Sequence, residues 1–314
     1  MKGTIEVTVG AIRALTPLVR EFTFEPVDGE LPVFSAGSHV QVHLPAAERA
    51  LQNAYSLVGR SADGRGYRIA VRLQETSRGG SRHLHERVRV GQVLRISSPA
   101  NLFPIHSQAR HHLMVAGGIG ITPFMAYIDA LEQRGAAFEL HYALRAGLTD
   151  AYAAALRERL GDRLHLYDAL AGKPLDIRAV LTDRPIGTHV YCCGPERLIE
   201  GVRDRARALG WHDNRVHFEA FAAPEPGLPF EVELVRSRRR IAVAHDQSLL
   251  EALEQSGLDV PNLCRNGVCG QCATPHLGDA EIDHRDHFLT PQERCSSLMP
   301  CVSRGGRTPV RLDI

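Results

Sequence analysis

Five of the seven cysteines fall between residues 264 and 301. Cys264, Cys269 and Cys272 stand as C-x4-C-x2-C, and Cys301 follows after 28 intervening residues. Thiolates at this spacing hold a plant-type [2Fe–2S] cluster, four sulfurs on two irons. Glycines in the loop 264–272 let the backbone wrap closely and aim N–H groups at sulfur. A structural zinc site is the alternative, but zinc knuckles pair two short C-x2-C units and this chain has one. Cys295 competes with Cys301 for the fourth place. Its spacing of 22 from Cys272 is short for the pattern, which makes it an ordinary thiol.

Two further segments have the composition of nucleotide-binding turns. Ala116-Gly117-Gly118-Ile119-Gly120-Ile121-Thr122-Pro123 follows an apolar run and opens a helix. Glycines there let backbone approach a pyrophosphate, and a helix N-terminus offers free N–H groups. Thr122 and Pro123 suit the N-cap and first helical turn. The segment lacks the G-x-G-x-x-G spacing, so an ordinary strand-to-helix turn stays open as a reading. Tyr191-Cys192-Cys193-Gly194-Pro195 ends a later strand. Cys192 and Cys193 point to opposite faces there, and either could be a small buried hydrophobe.

The elements that must position these groups change character along the chain. Period-two alternation with Gly and Pro punctuation places strands at 5–9, 37–44, 54–58, 67–73 and 94–97, with one helix at 81–88, which reads as an antiparallel barrel or sandwich. From about 110 to 221, apolar runs at 113–116, 138–144, 164–167, 189–193 and 216–218 alternate with helical stretches at 123–134, 150–160, 174–182 and 195–209. That is the rhythm of a parallel sheet wound with helices. Gly135 and Gly210 fall where helix C-termini need a left-handed residue. Residues 222–229 have the composition of a linker, and beyond it a hairpin at 230–235 and 240–244 and a helix at 247–255 precede the cysteines.

The cysteine loop, with Met299-Pro300-Cys301-Val302-Ser303-Arg304, resembles the ferredoxin domain of the phthalate dioxygenase reductase family, and the resemblance covers essentially the whole chain. Asn53-Ala54-Tyr55-Ser56-Leu57 is similar to that family's Arg-x-Tyr-Ser flavin segment, with Asn53 in place of Arg. Gly79-Gly80-Ser81 is similar to its phosphate-binding segment, Cys193-Gly194-Pro195 to its Cys-Gly-Pro beside the nicotinamide, and residues 216–221 to the segment that closes its nucleotide domain. The resemblance implies a multi-domain chain: an antiparallel β-barrel for FMN over 1–105, an α/β parallel-sheet NAD domain over 106–223, and a β-grasp plant-type ferredoxin domain over 224–314.

It implies that Asn53, Ala54, Tyr55, Ser56, Val71, Arg72, Gly79, Gly80, Ser81, Thr122 and Phe221 contact FMN, with Arg72 or Arg78 supplying the charge that Asn53 lacks. Gly117, Gly118, Cys193, Gly194 and Pro195 border the dinucleotide, and Thr122 adjoins it. Cys264, Cys269, Cys272 and Cys301 hold the cluster. Residue by residue, plainer readings stand beside these: Tyr55 and Phe221 as core aromatics, Gly79-Gly80 as a turn, and the arginines as solvated surface.

Nicotinamide gives two electrons as hydride and an iron–sulfur cluster takes one, so a flavin must divide the pair. No side chain is needed as acid or base. The resemblance makes the chain the NADH-dependent reductase component of a Rieske-type aromatic oxygenase or O-demethylase. NADH is preferred to NADPH because Arg145-Ala146-Gly147 offers one basic residue for a 2′-phosphate. A ferredoxin-like sensing module with a degenerate reductase body, and a self-contained flavin reductase with a structural cluster, stand as alternatives.

Lys plus Arg number 37 against 36 Asp plus Glu, which gives no field to draw nucleic acid or anionic lipid. No apolar run approaches the roughly 18 residues of a membrane helix, and no secretory leader is seen at the start. A cytoplasmic monomer is expected. Asp283-His284-Arg285-Asp286-His287 looks metal-like by composition without a readable second shell, and no ion is expected there. Arg236, Arg238, Arg239 and Arg240 read as a solvated hairpin end or a docking patch for an acidic partner.

Overall fold

The alternating stretches of the first hundred residues form strands that close on one another. In the computed structural model, which describes residues 4–44, 51–74, 79–221 and 226–314, these strands are β1 (Thr4–Thr16), β2 (Val19–Pro26), β3 (Ser38–Leu44), β4 (Leu51–Arg60), β5 (Tyr67–Arg72) and β6 (Val93–Ser97), with β7 (Ala100–Asn101) added on β3. Their order is β4-β5-β2-β1-β6-β3, and a β3–β4 pairing closes the barrel and removes its edges. Val7, Phe22, Val40, Leu57, Ile69 and Ile96 are among the side chains that fill it. Helix α1 (Gly80–Glu86) lies between β5 and β6.

Strand β2 and the second half of β1 were not among the expected strands. A bulge between Val9 and Ala11 interrupts the β1–β2 register. In β2, Glu21 and Phe22 are buried in succession, which breaks the inside–outside pattern. Glu21 is buried because it faces another part of the protein: Tyr152 Oη donates to Glu21 Oε2 at 2.7 Å, and Arg13 and Arg68 pair with the carboxylate at 3.0 and 3.2 Å.

The next stretch gives β8 (His111–Gly117), α2 (Thr122–Gln133), β9 (Ala137–Ala143), α3 (Ala153–Leu160), β10 (Leu164–Tyr167), α4 (Ile177–Leu181), β11 (Thr188–Gly194), α5 (Glu196–Ala208) and β12 (Val216–Ala220). The strands are parallel, in the order β10-β9-β8-β11-β12. The chain thus starts at the centre, winds outward through β9 and β10, and returns to β11 on the other side. The strand order reverses between β8 and β11, and the crevice outside the carboxyl ends of such a pair is where sheets of this kind bind ligands. Gly135 and Gly210, at φ 62° and 75°, follow α2 and α5 as expected. The expectation for Thr122 fails. A 3-10 turn, Gly118–Ile121, already leads into α2, so Thr122 is helical and its Oγ1 donates back to Ile119 O at 3.0 Å instead of capping.

Barrel and parallel sheet belong to one compact unit, Met1–Phe221. Besides the Glu21–Tyr152 contact, Thr16 Oγ1 donates to Leu148 O at 2.8 Å, Tyr127 Oη donates to Phe103 O at 2.6 Å, and α2 packs against β4. On one sheet face the rings of His106, His189 and His217 stack at centroid separations of 4.5 and 5.2 Å, and His189 Nδ1 lies 2.9 Å from His217 Nε2.

The second unit, Ala222–Ile314, contains β13 (Phe230–Leu234), β14 (Arg239–Val243), α6 (Leu249–Gln255), β15 (Thr274–Leu277), β16 (Ile282–Asp283), β17 (Ser297–Leu298), β18 (Arg304–Gly305) and β19 (Val310–Leu312). Its mixed sheet runs β14-β13-β19-β15-β17, with β13 and β19 parallel. Leu249, Leu250 and Leu253 of α6 pack into its core, the β-grasp arrangement. A capping box of Ser248 and Glu251 starts α6. Among the described residues no helix is long and apolar enough to cross a membrane.

The histidine stack makes the first unit acid-sensitive. Burial, then neighbouring imidazoles, hold His217 and His112 down to about 4, and burial also lowers His189. The unfolded chain takes up the His217 and His112 protons near pH 6.5, the folded protein only near 4. Their stabilisation is therefore whole above pH 6.5 and is lost as pH falls through that window. The melting temperature should drop between pH 6.5 and 4.5, and His217→Gln should flatten the drop; an equal slope in the variant would contradict this.

Candidate functional site

The cysteine loop is held by its own backbone. Cys264, Cys272 and Cys301 are buried and Cys269 is half-buried. Cys272 Sγ and Cys301 Sγ are 3.3 Å apart, and Asn266 N–H donates to Cys264 Sγ at 3.4 Å. The Cys269 thiol and then backbone N–H groups, against the cost of burial, draw Cys264 down to about 6. Cys272 is lowered by its bond from Cys301, whose own thiol is pushed up by the same contact. A set of sulfurs that share protons and receive N–H groups fits thiolate ligation of an iron–sulfur cluster.

Gly270 takes a left-handed φ of 75°, and a Cβ there would stand 2.3 Å from the Phe288 ring, so a larger residue would add backbone strain and displace that ring. Cys295 lies apart in an exposed turn, its thiol 3.5 Å from Pro291 O.

Two features outside the cysteines shape this loop. Arg265, in a left-handed conformation at φ 57°, is buried, and its guanidinium meets Glu254 through two contacts of 2.7 and 2.6 Å. The stretch 283–287 supports the loop from behind: Asp286 accepts from the N–H groups of Phe288 and Leu289 at 3.2 and 2.7 Å, and His287 N–H donates to Gly267 O at 3.0 Å. Of the hairpin arginines, Arg236 pairs with Asp313 at 2.9 Å and Arg239 reaches Ser256 O at 3.1 Å.

In the first unit the two glycine-bearing turns meet at the crevice. A Cβ on Gly120 would come within 2.1 Å of Cys193 O, so the turn after β8 touches the end of β11 only because residue 120 is glycine. Gly117 and Gly194 face one another in the same way, with Pro195 beside them. Gly118 borders Thr149. The surface left between the strand ends is backbone, which fits the close approach of a dinucleotide. Cys193 is fully buried, and burial, then the nearby Glu219 carboxylate, keep its thiol protonated. Cys192 is buried on the opposite face.

On the barrel, β4 sorts the flavin-segment residues by face. Tyr55 is half-buried against the barrel core, and Asn53 lies against Gly80, whose Cβ would meet Asn53 Oδ1 at 2.5 Å. Asn53, Gly79, Gly80 and Ser81 are therefore neighbours. Ser81 Oγ accepts from Gln74 N–H at 3.3 Å. Ala54 is half-buried and pairs with Gln41 across β3. Val71 turns its side chain into the core, and its carbonyl lies 2.8 Å from His85 Nε2, while Arg72 is half-buried at the end of β5. Phe221, half-buried, packs against the parallel-sheet core just beyond β12. Arg78 lies outside the described residues.

Ser56 is buried on the other face of β4, and its Oγ donates to Glu219 Oε2 at 3.1 Å. Glu219 pairs in register with Cys193. Barrel strand β4 and the parallel strands β11 and β12 thus bring one hydroxyl, one thiol and one carboxylate together near the carboxyl ends of the parallel strands. Sequence reading did not single out Glu219. Its position two residues before Phe221, the aromatic just beyond β12, was the available signal.

Comparison with known proteins agrees with this geometry. Residues 97–216 match the family described as dimethylamine monooxygenase subunit DmmA-like, N-terminal domain, and residues 232–304 match the 2Fe-2S iron-sulfur cluster binding domain. The heme-dependent oxidative N-demethylase beta subunit of Ectopseudomonas mendocina is 58% identical over 100% of both chains. The carnitine monooxygenase reductase subunit of Escherichia coli is 41% identical over 98% of each. A solved phthalate dioxygenase reductase, described as a modular structure for electron transfer from pyridine nucleotides to [2Fe–2S], superimposes with a TM-score of 0.87 at 30% identity, over 99% of this chain and 98% of that one. With relatives of this identity along its whole length, the chain belongs to the phthalate dioxygenase reductase family, whose members include the reductase subunits of oxygenase systems.

Proposed function

We propose that the chain is an NADH-dependent oxidoreductase that passes electrons through FMN and a [2Fe–2S] cluster to an oxygenase subunit. The observation that carries this reading is the convergence of Ser56, Glu219 and Cys193 at the crevice of a unit that shares its chain with the four-cysteine loop. When bound, the flavin accepts a hydride and releases single electrons, and the cluster, near about −400 mV, carries them on.

The protein's own residues bind and orient. Gly117, Gly118, Gly194 and Pro195 give the dinucleotide a backbone surface, and the buried, protonated Cys193 adds no charge beside the nicotinamide. Ser56 and Glu219 fix β4 against β12, which sets the spacing of the two rings. Tyr55 and Phe221 offer half-buried aromatic surface to the flavin. Asn53, Ala54, Arg72, Gly79, Gly80, Ser81 and Thr122, with the Val71 backbone, supply the polar and close-packed contacts. The Gly79-Gly80-Ser81 turn, with the Asn53 amide packed against Gly80, is the phosphate-binding candidate, and its resemblance to the family's segment favours FMN. Arg145 is exposed and alone in its turn, which favours NADH.

The acceptor is an oxygenase in either of two forms. A Rieske-type aromatic oxygenase follows from the resemblance of the motifs, with a cytoplasmic monomer as the donor. A haem-containing N-demethylase is favoured by the 58% identity to a heme-dependent N-demethylase beta subunit and by the dimethylamine monooxygenase family match. Turnover with the purified haem partner of that relative, set against turnover with phthalate dioxygenase, separates them.

Replacing Cys301 with Ser should abolish NADH-driven cytochrome c reduction and spare ferricyanide reduction; survival of both activities would overturn the relay. Glu219→Gln should slow flavin reduction in stopped flow by about 10-fold or more at unchanged flavin content, as misplacement of reacting rings does. An unaltered rate would remove Glu219 from the reading.

A further inference from the structure

Away from the crevice, three side chains converge on the sheet face that carries His111, Leu113 and Val115. Glu139 and His141 sit two apart on β9 and so share a face, and His165 is the direct partner of His141 on the edge strand β10. Glu139 Oε1 is 3.6 Å from His141 Nε2, and Glu139 Oε2 is 3.7 Å from His165 Nε2. One ligand atom from each lies within 4.8 Å of the others. Two donors on a tetrahedral zinc ion stand about 3.3 to 3.5 Å apart, so the carboxylate already sits close to chelating distance from both rings. The imidazoles, stacked at 4.5 Å and 21°, close the remaining gap by a tilt of His165, whose side chain is 41% exposed.

His141 is the independent observation. Its side chain is 5% exposed, and its buried Nε2 makes no hydrogen bond shorter than the 3.6 Å contact with Glu139, a member of the same cluster. Its other nitrogen, Nδ1, lies 2.8 Å from Tyr167 Oη. With Nδ1–H donating to that oxygen, the Nε2 lone pair is aimed into the cluster, as in the outer-shell arrangement of metal-bound histidines. Burial lowers the His141 pKa in spite of Glu139, so the ring is neutral and able to donate at neutral pH. We propose that Glu139, His141 and His165 form a binding site for a zinc-type divalent cation that ties the edge strand β10 to β9.

Two nitrogens and one carboxylate oxygen suit Zn2+, Co2+ or Ni2+ better than the hard cations, and water completes the shell. Arg184, whose guanidinium pairs with Glu139, is the competitor: it neutralises the carboxylate when no ion is bound and must yield when one arrives. The nearby His111 is also held down by burial and adds no charge at neutral pH.

The test uses the holoprotein, whose cluster keeps the four cysteines engaged, titrated with Zn2+ by calorimetry and with Co2+ by visible absorption. Wild type should bind one ion at this site and melt at a higher temperature with Zn2+. His165→Gln, at a position exposed enough to leave the fold intact, should weaken that binding by at least about 10-fold and remove the thermal shift. Arg184→Gln should tighten it, on the order of 10-fold, by deleting the competing cation. Equal Zn2+ affinity and stoichiometry in wild type and His165→Gln, or no binding in wild type and Arg184→Gln alike, would overturn the proposal.

Discussion

The hydrogen bond from Ser56 Oγ to Glu219 Oε2, at 3.1 Å, joins a barrel strand to the last strand of the parallel sheet. In the proposed relay this bond helps set the seam across which a hydride must move between atoms about 3 to 3.5 Å apart. Two layers of one unit can offer their ligands at that separation only if their seam is fixed. The rest of the first unit serves this condition. Glu21, buried beneath Tyr152 and paired with two arginines, pins the far side of β2. The contacts of Thr16 with Leu148 and of Tyr127 with Phe103 tie loops of one layer to the other. A buried carboxylate is costly unless its oxygens are satisfied, so Glu21 specifies this arrangement as well as stabilising it.

The cysteine loop obeys a different constraint. Thiolates on iron need N–H groups turned toward them, and a chain that wraps this tightly has few φ/ψ choices. Gly267 and Gly270 take the left-handed conformation, and so does Arg265, at the cost an L side chain pays there. Its two contacts with Glu254 on α6 hold that conformation, so the helix of the β-grasp positions the loop directly. The Ser248–Glu251 capping box in turn sets where that helix begins.

Much of this was legible in the residues. The cysteine spacing, the alternation of strands and helices after residue 110 and the glycines that close α2 and α5 are local patterns, and local patterns survive folding. What was not legible depends on long-range contact. Strand β2 hid because Glu21 is buried by a neighbour that the local sequence cannot reveal. Thr122 carried a cap signature, but the 3-10 turn of Gly118–Ile121 moved the helix start past it. Glu219 has its place through pairing with Cys193, 26 residues earlier in sequence, and through a barrel serine 163 residues away. Glu139, His141 and His165 likewise meet only through strand register.

The central claim is that electrons entering as hydride in the first unit leave singly from the second. Anaerobic addition of NADH to the purified protein, followed by visible absorption and low-temperature electron paramagnetic resonance on the same samples, tests it most directly. The account predicts bleaching of the flavin bands together with the signal of a reduced [2Fe–2S] cluster. Flavin bleaching with a cluster that stays oxidised would contradict it.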